Sequence, residues 1–343
     1  MTRTVLHLVG SAVSEFYADL SRLYAADCLV ATADAALYDM QIAYVTADLQ
    51  WRFPRDLSRA AIAAAPPMPL AAALEHITAL APDAMVPQMF CVPGMTTYRG
   101  LFDALGIPYI GNVPAVMALT ANKALARAVV QAAGVRVPRG EVLQPGEQPS
   151  IGLPAVVKPV AADNSLGVTF VRDAAGWGPA LRAAREHGDQ VLVEEYVELG
   201  REVRCGILER DGQLVCLPLE EYRMVGPVRG HAEKIGTDDG GDLRLMAKDG
   251  VRAWIVDPAD PVTARVWAAA RACHLALGCR HYSLFDFRID PDGQPWFLEA
   301  SLYCSFAHQS VLSAMARAVG MTTAELFATS LPGLPGLPGQ AQL

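Results

Sequence analysis

Two carboxylates on neighbouring strands are the strongest chemical signal in the chain. Residues 283–289 read SLFDFRI and residues 295–302 read PWFLEASL, joined by the turn-forming Asp290-Pro-Asp-Gly. A period of two puts Asp286 and Arg288 on one face of the first strand, with Phe285, Phe287 and Ile289 on the other. On the second strand Glu299 and Ser301 point together, with Leu298, Ala300 and Leu302 opposite. Folding through the turn brings Asp286 beside Glu299. Two carboxylates on an apolar hairpin repel and lose hydration unless a cation offsets the cost. Oxygen ligands of this kind suit Mg²⁺ carried by nucleotide phosphates. An ion-pair network with Arg288 or Arg280 is the alternative.

Lysine is the second signal. The 28 basic residues include four lysines, Lys123, Lys158, Lys234 and Lys248, and arginine supplies the rest. In such a background a lysine marks a place where a compact ammonium is useful. The net charge of −8 argues against sequence-independent nucleic-acid binding, which needs a basic face. With 52% hydrophobic residues over 343 positions the chain can bury two or three packed modules. No apolar run is long enough for a membrane span. Seven cysteines without paired spacing fit reduced thiols, hence a cytoplasmic protein. Cys273-His274 and Cys279-x-His281 lack the tight paired spacing of structural zinc, and no nucleophile-elbow pattern supports a hydrolase triad.

The elements that must position these groups fall into two textures. Strands over 5–9, 42–46, 85–90 and 108–110 alternate with helices over 15–26, 70–80 and 98–105, which predicts parallel pairing in a doubly wound sheet. After a helix over 122–133, closely spaced strands over 155–160, 168–171, 191–197, 203–208 and 214–219, with one helix near 178–187, predict an antiparallel-rich region. The polar stretch 224–249 lacks periodicity and reads as a long functional loop. Asp260-Pro261 opens a helix, Thr322 and Glu325 form a capping box, and the Pro-Gly tail 332–343 reads as disordered. Neither G-x-G-x-x-G nor G-x-x-x-x-G-K-[ST] occurs.

The hairpin, together with Val156-Val-Lys-Pro159, Leu192-Val-Glu-Glu195 and Phe297-Leu-Glu-Ala300, resembles the ATP-grasp superfamily, and within it the D-alanine–D-alanine ligase family. The resemblance implies an α/β and α+β three-domain ATP-grasp fold: an N-terminal Rossmann-like (pre-ATP-grasp) domain over 1–120, a central subdomain over 121–206, and a C-terminal subdomain with the metal site over 207–331. It implies ATP and two Mg²⁺ ions (Mn²⁺ as a substitute), with Lys123 and Lys158 on the phosphates. Asn164, Ser165 and Gly167 would form the loop closing over them, Glu194 and Val197 would meet the adenine, and Glu202 the ribose. Asp286, Glu299 and Ser301 match the metal ligands, with Ser301 in place of the family asparagine. Lys234 matches the lysine of the long substrate loop.

The acceptor end departs from the family. Its catalytic arginine, two residues before the metal aspartate, is Leu284 here, and Arg204 or Arg288 are the candidates to replace it. Ser310 keeps the serine that holds the acceptor carboxylate, and Glu15 stands where the family holds an ammonium. His231 and His308 are candidate bases. The stretches Val5-Leu-His-Leu-Val-Gly-Ser11, Pro87-Gln-Met-Phe-Cys91 and Arg280-His-Tyr-Ser-Leu-Phe-Asp-Phe-Arg288 further resemble ligases that add an amino acid to mycosporine-glycine. That branch implies phosphorylation of a vinylogous-acid oxygen and its displacement by the amine of serine or threonine. A D-alanine–D-alanine or other dipeptide ligase is the alternative, and a kinase or nucleotide-binding protein on the same fold is a third reading. The partners implied are small-molecule substrates and a second copy in a homodimer, with no nucleic acid or membrane.

Overall fold

Near-continuous apolar runs in the first ninety residues produce the buried strands β1 (Arg3–Gly10), β2 (Tyr38–Val45) and β4 (Ala84–Pro87), with the two-residue β3 (Trp51–Arg52) between β2 and β4 in sequence. A computed structural model describes residues 2–163, 165–230, 236–237, 243–244, 252–303 and 305–331. Sheet order is β3-β2-β1-β4, with β1 parallel to β2 and β4 and β3 antiparallel to β2. Helix α1 (Glu15–Thr32) connects β1 to β2, α2 (Arg59–Ala64) and α3 (Leu70–Leu80) lead from β3 to β4, and α4 (Val92–Met95) and α5 (Thr97–Leu105) follow β4. Ser14 caps α1 by accepting from the Tyr17 N–H. The strand expected over 108–110 is a single bridge of Tyr109 to Met85.

Next come α6 (Pro114–Ala121) and α7 (Lys123–Ala132), the latter capped by Asn122. Strands β5 (Gly140–Leu143), β6 (Ala155–Pro159), β7 (Thr169–Val171) and β8 (Val191–Glu195) form an antiparallel sheet in the order β5-β8-β6-β7. Helix α8 (Trp177–Arg185) buries Ala180, Leu181 and Ala184 against this sheet's Val157, Val171 and Val193.

The largest sheet takes β9 (Arg201–Arg210), β10 (Gln213–Cys216), β11 (Glu220–Tyr222), β14 (Ala253–Ile255), β15 (Tyr282–Ile289) and β16 (Pro295–Ala300), in the order β14-β11-β9-β15-β16 with β10 on the end of β9. The short strands β12 (Gly236–Thr237) and β13 (Leu243–Arg244) pair with each other inside the segment expected to be loop. Helix α9 (Pro261–Ala276) lays Val262, Val266, Ala270 and Cys273 on the odd-numbered face of β9 and β15, meeting Val203, Cys205, Ile207, Phe285 and Phe287. Helices α10 (Val311–Ala318) and α11 (Thr323–Ser330) return to the first sheet, where Phe327 packs edge-on to Tyr38 at 5.7 Å. Both hydrogen bonds of the Thr322–Glu325 capping box are made.

The boundary expected between 206 and 207 falls inside β9, whose residues 201–208 pair with β15 in one unbroken register. Among the described residues no helix is long and apolar enough to cross a membrane.

The hairpin β15–β16 carries a feature that strict alternation misses. Asp286 pairs with Glu299 and Phe287 with Phe297, so the register shifts between them and Leu298 is the extra residue of a β-bulge. Without it, Phe297 and Glu299 would share a face. With it, Phe297 turns into the core against Phe287 (6.2 Å between ring centroids) while Glu299 stands opposite Asp286. A bulge re-aims side chains in this way beside functional sites.

Candidate active site

The sheet register sets out the site row by row. Asp286 has Glu299 on one side and Arg204 on the other, and in the next row Arg288 faces Glu202. The Arg204 Nε donates to Asp286 Oδ1. Arg288 Nη2 donates to Glu202 Oε2 at 2.8 Å and to the Pro227 carbonyl at 2.9 Å, while Nη1 donates to the Val197 carbonyl at 3.2 Å. Asp286, Glu202 and Arg288 are all buried.

Lys123 comes to the same place from the first residue of α7. Its Nζ donates to the Ala162 carbonyl and lies 3.6 Å from Glu299 Oε2. Lys158, on β6, pairs with Glu194, its register neighbour but two on β8, at 2.5 Å. Arg127 approaches the same carboxylate at 3.2 Å. It sits one helical turn after Lys123 on α7, a spacing that was readable from sequence. Lys158 and Glu194 are buried together, so an unpaired charge is avoided. Lys123, Glu299, Ser301, Asp163, Tyr303 and Met117 line one small cleft.

The remaining expected site residues have these positions. Ser165 and Gly167 adopt left-handed backbone (φ 59° and 67°), with the Val168 N–H donating to the Ser165 carbonyl. Gly167 also packs tightly, since a Cβ there would lie 3.0 Å from the Ala183 carbonyl oxygen. Ser301 donates its N–H to the Leu284 carbonyl, extending the hairpin pairing. Ser310 is the N-cap of α10, accepting from the Ser313 N–H at 3.3 Å. Glu15 is exposed in the first turn of α1, where its charge acts on Tyr44. His308 is exposed. Asn164, His231, Lys234 and the tail 332–343 lie outside the described residues.

Several groups at the site were not singled out by sequence reasoning. Tyr222, on β11, lies under Arg204 (4.9 Å from guanidinium carbon to ring centroid) and Arg229 (3.9 Å), and its hydroxyl donates to Glu220. Burial pushes the Tyr222 phenol well above its usual range, against the pull of Arg204. Tyr303 is likewise held well up by burial and by the Asp163 and Glu299 charges. Tyr24 of α1, packed on Phe90 at 5.3 Å, is raised by burial while the Arg204 charge lowers it. Phe90 in turn meets Tyr303 at 6.2 Å. Tyr24, Phe90 and Tyr303 thus form an aromatic chain from α1 to the cleft that Glu299 lines. The three-residue β11 and the tyrosines of α1 lie far apart in sequence, so only tertiary structure assembles them.

The cysteine–histidine stretch near 273–281 is structural. Cys273 is in the α9 core, His274 Nδ1 is 2.8 Å from Ser283 Oγ, and His281 Nδ1 accepts from the Gly111 N–H. Burial lowers the His281 pKa to about 4.

Comparison with known proteins identifies the family. The family described as "D-ala D-ala ligase C-terminus" matches residues 128–331. A D-alanine–D-alanine ligase of Methylobacterium radiotolerans is 32% identical over 260 residues, covering 73% of this chain and 80% of its own. The corresponding ligase of an Anaeromyxobacter species is 30% identical over 244 residues, covering 68% and 74%. Among solved structures, the VanG D-Ala:D-Ser ligase of Enterococcus faecalis superposes with a TM-score of 0.76 at 21% identity, covering 96% of this chain and 98% of that one. The Bacillus anthracis D-alanine–D-alanine ligase complexed with ATP gives 0.70 at 20%, covering 96% of each chain. These structures share the mixed α/β ATP-grasp fold. The chain belongs to the D-alanine–D-alanine ligase family of ATP-dependent carbon–nitrogen ligases.

Proposed function

We propose that this protein uses ATP and magnesium to phosphorylate an oxygen of an acid or vinylogous acid and joins the activated carbon to the amine of an amino acid, releasing ADP and phosphate. The observation that carries this is the Asp286–Glu299 pair on adjacent strands, with Lys123 3.6 Å from Glu299 and the buried Lys158–Glu194 pair alongside. Two carboxylates and the Ser301 hydroxyl fit a hard cation that completes its shell with phosphate oxygens and water. Magnesium held by them would neutralise phosphate charge. Lys123 and Lys158 orient the phosphates, Glu194 and the Val197 backbone receive the adenine, and Glu202 receives the ribose. Lys234, on the long segment after β11, adds a further cation. Catalysis is then mostly positioning and charge neutralisation.

For the substrates we propose mycosporine-glycine as donor and serine or threonine as amine. The three stretches named above support this, as do the aromatics Tyr24, Phe90 and Tyr303 at the acceptor end, which suit a conjugated ring better than a methyl group. Dipeptide formation from D-alanine with D-alanine or D-serine is the second reading, supported by the names of the relatives. One experiment separates them: purified protein with ATP and Mg²⁺ is offered mycosporine-glycine with each amino acid, and D-alanine alone or with D-serine. The expected result is phosphate release and a condensed product, identified by mass, only when mycosporine-glycine and an amino acid are both present. A D-alanyl product supports the second reading. A stable phosphorylated donor identifies a kinase, and no reaction in any mixture overturns the ligase assignment.

A further inference from the structure

The row of the sheet from which the family's arginine would act is closed in this chain. Leu284 pairs with Gly206, and a Cβ on Gly206 would lie 2.8 Å from Leu312 Cδ1 and 3.0 Å from Met315 Sδ. Helix α10 is therefore pressed onto that row, and Leu284 is buried among Leu208, Leu217 and Phe306. A guanidinium can still enter from the adjacent strand in the next row on the same face, where Arg204 faces Asp286. Of the two candidates, Arg288 is engaged by Glu202, the Val197 and Pro227 carbonyls and the Tyr196 ring. Arg204 instead contacts Asp286 and the Tyr222 ring, has Glu220 as its direct register neighbour on β11, and its charge acts on both Tyr24 and Tyr303.

We propose that Arg204 is the catalytic guanidinium that meets the negative charge gathering on the phosphate oxygens as the amine displaces them, and that Tyr222 and Glu220 are its positioning residues. This rests on the ligase reading above. The donor oxygen bonds to the γ-phosphorus as the bond to ADP breaks and its electron pair leaves with ADP. The amine lone pair then bonds to the activated carbon, and the π pair moves through the ring toward the conjugated glycine nitrogen. Return of that pair breaks the carbon–oxygen bond to phosphate, whose growing negative charge Arg204 stabilises, and the phosphate carries off the surplus amine proton. The task has moved across the sheet from position 284 to position 204, and Arg229, 3.9 Å from the same Tyr222 ring, adds to the positive potential there.

The test compares Arg204→Ala, Arg204→Lys, Arg288→Ala and Tyr222→Leu by phosphate release and by affinity for a non-hydrolysable ATP analogue. Arg204→Ala should lower kcat by about 10²–10³-fold, the range for losing one charge-stabilising donor, with analogue affinity unchanged within about threefold. Added guanidinium at non-denaturing concentration should restore at least about tenfold of that loss, a rescue no structural role would give. Arg288→Ala should lose analogue affinity and gain nothing from guanidinium. Tyr222→Leu should lower kcat about tenfold with KM for ATP unchanged, and Tyr222→Phe, which keeps the ring, should recover it. Should Arg204→Ala fail to fold, Arg204→Lys decides: a loss of at least about tenfold in kcat supports the proposal, because a lysine cannot reproduce the planar fork. An Arg204 variant with wild-type kcat, or one that guanidinium does not rescue, overturns it. A wild-type protein that turns over no donor–amine pair overturns the ligase reading beneath it, which is a separate result.

Discussion

Replacing Asp286 by Asn and Glu299 by Gln removes one negative charge each from the same hairpin row, yet the two changes have different structural consequences. Arg204 and Asp286 retain 15% and 11% of their side-chain exposure, so the pair sits in low dielectric. Taking the charge from Asp286 leaves a buried guanidinium short of a counter-ion. Breaking a buried pair in that way costs about 3–5 kcal/mol, and the lower end applies because Asn keeps an acceptor oxygen and Glu220 is a register neighbour. Glu299 is 26% exposed and 3.6 Å from a lysine that also donates to Ala162, so its replacement costs about 0.5–1 kcal/mol. By differential scanning fluorimetry without nucleotide, Asp286→Asn should melt roughly 5 °C or more below wild type and Glu299→Gln within about 2 °C. Both should lose at least about 10²-fold in turnover. The double variant Arg204→Gln/Asp286→Asn should recover at least about 1 kcal/mol relative to the sum of the single changes. Equal melting of the two single variants, or strict additivity in the double, would refute the claim that Arg204 and Asp286 form one buried electrostatic unit.

Two further outcomes follow from the scaffold. Gly10→Ala should cost several kcal/mol and give little soluble protein, because its φ of 97° disfavours a side chain and a Cβ would lie 2.0 Å from the Val45 carbonyl oxygen; expression and melting of Gly10→Ala beside Gly146→Ala, where a Cβ meets nothing, check this. Stability should fall as pH drops from about 6.5 toward 4, because burial lowers His281 to about 4 and His7 to about 3. Unfolded histidines bind protons that the folded ones refuse, so the stabilisation is complete above pH 6.5 and lost below it, at up to about 1.4 kcal/mol per pH unit for each group. Urea titrations at stepped pH should show His281→Asn with a shallower slope than wild type.

What the sequence made legible was whatever depends on short-range pattern. The alternation of 282–289, the helix over 70–80 and the Thr322–Glu325 cap need only neighbours a few residues away, and each forms as read. The pairing of Asp286 with Glu299 was also accessible, because the turn between them fixes which residues meet. Tyr222 and Glu220 were not, since β11 is three residues long and its identity comes from lying between β9 and β14. The closure of row 206/284 by Leu312 and Met315 was hidden for the same reason: more than a hundred residues separate Gly206 from the helix that fills its space. The continuity of β9 past 206 was hidden likewise, because its register is set by β15, eighty residues on.

The bulge at Leu298 is where pattern reading and structure part most sharply, and it can be tested directly. Phe297 and Glu299 are both odd-numbered, so simple alternation forces a choice between burying an aromatic and presenting a carboxylate. The extra residue resolves the conflict: Phe297 fills the core beside Phe285 and Phe287 while Glu299 faces Asp286. Deleting Leu298 makes Phe297 and Glu299 consecutive, so regular alternation alone then keeps the ring in the core and the carboxylate opposite Asp286. Leu298→Ala keeps the bulge and removes only a partly buried side chain. The deletion should therefore keep phosphate release within about tenfold of wild type, while Leu298→Ala keeps turnover within about threefold and loses no more than about 2 kcal/mol. If the deletion abolished phosphate release while Leu298→Ala kept it, the bulge itself would have to aim Glu299, and taking up one extra residue between two fixed pairs could not be its role.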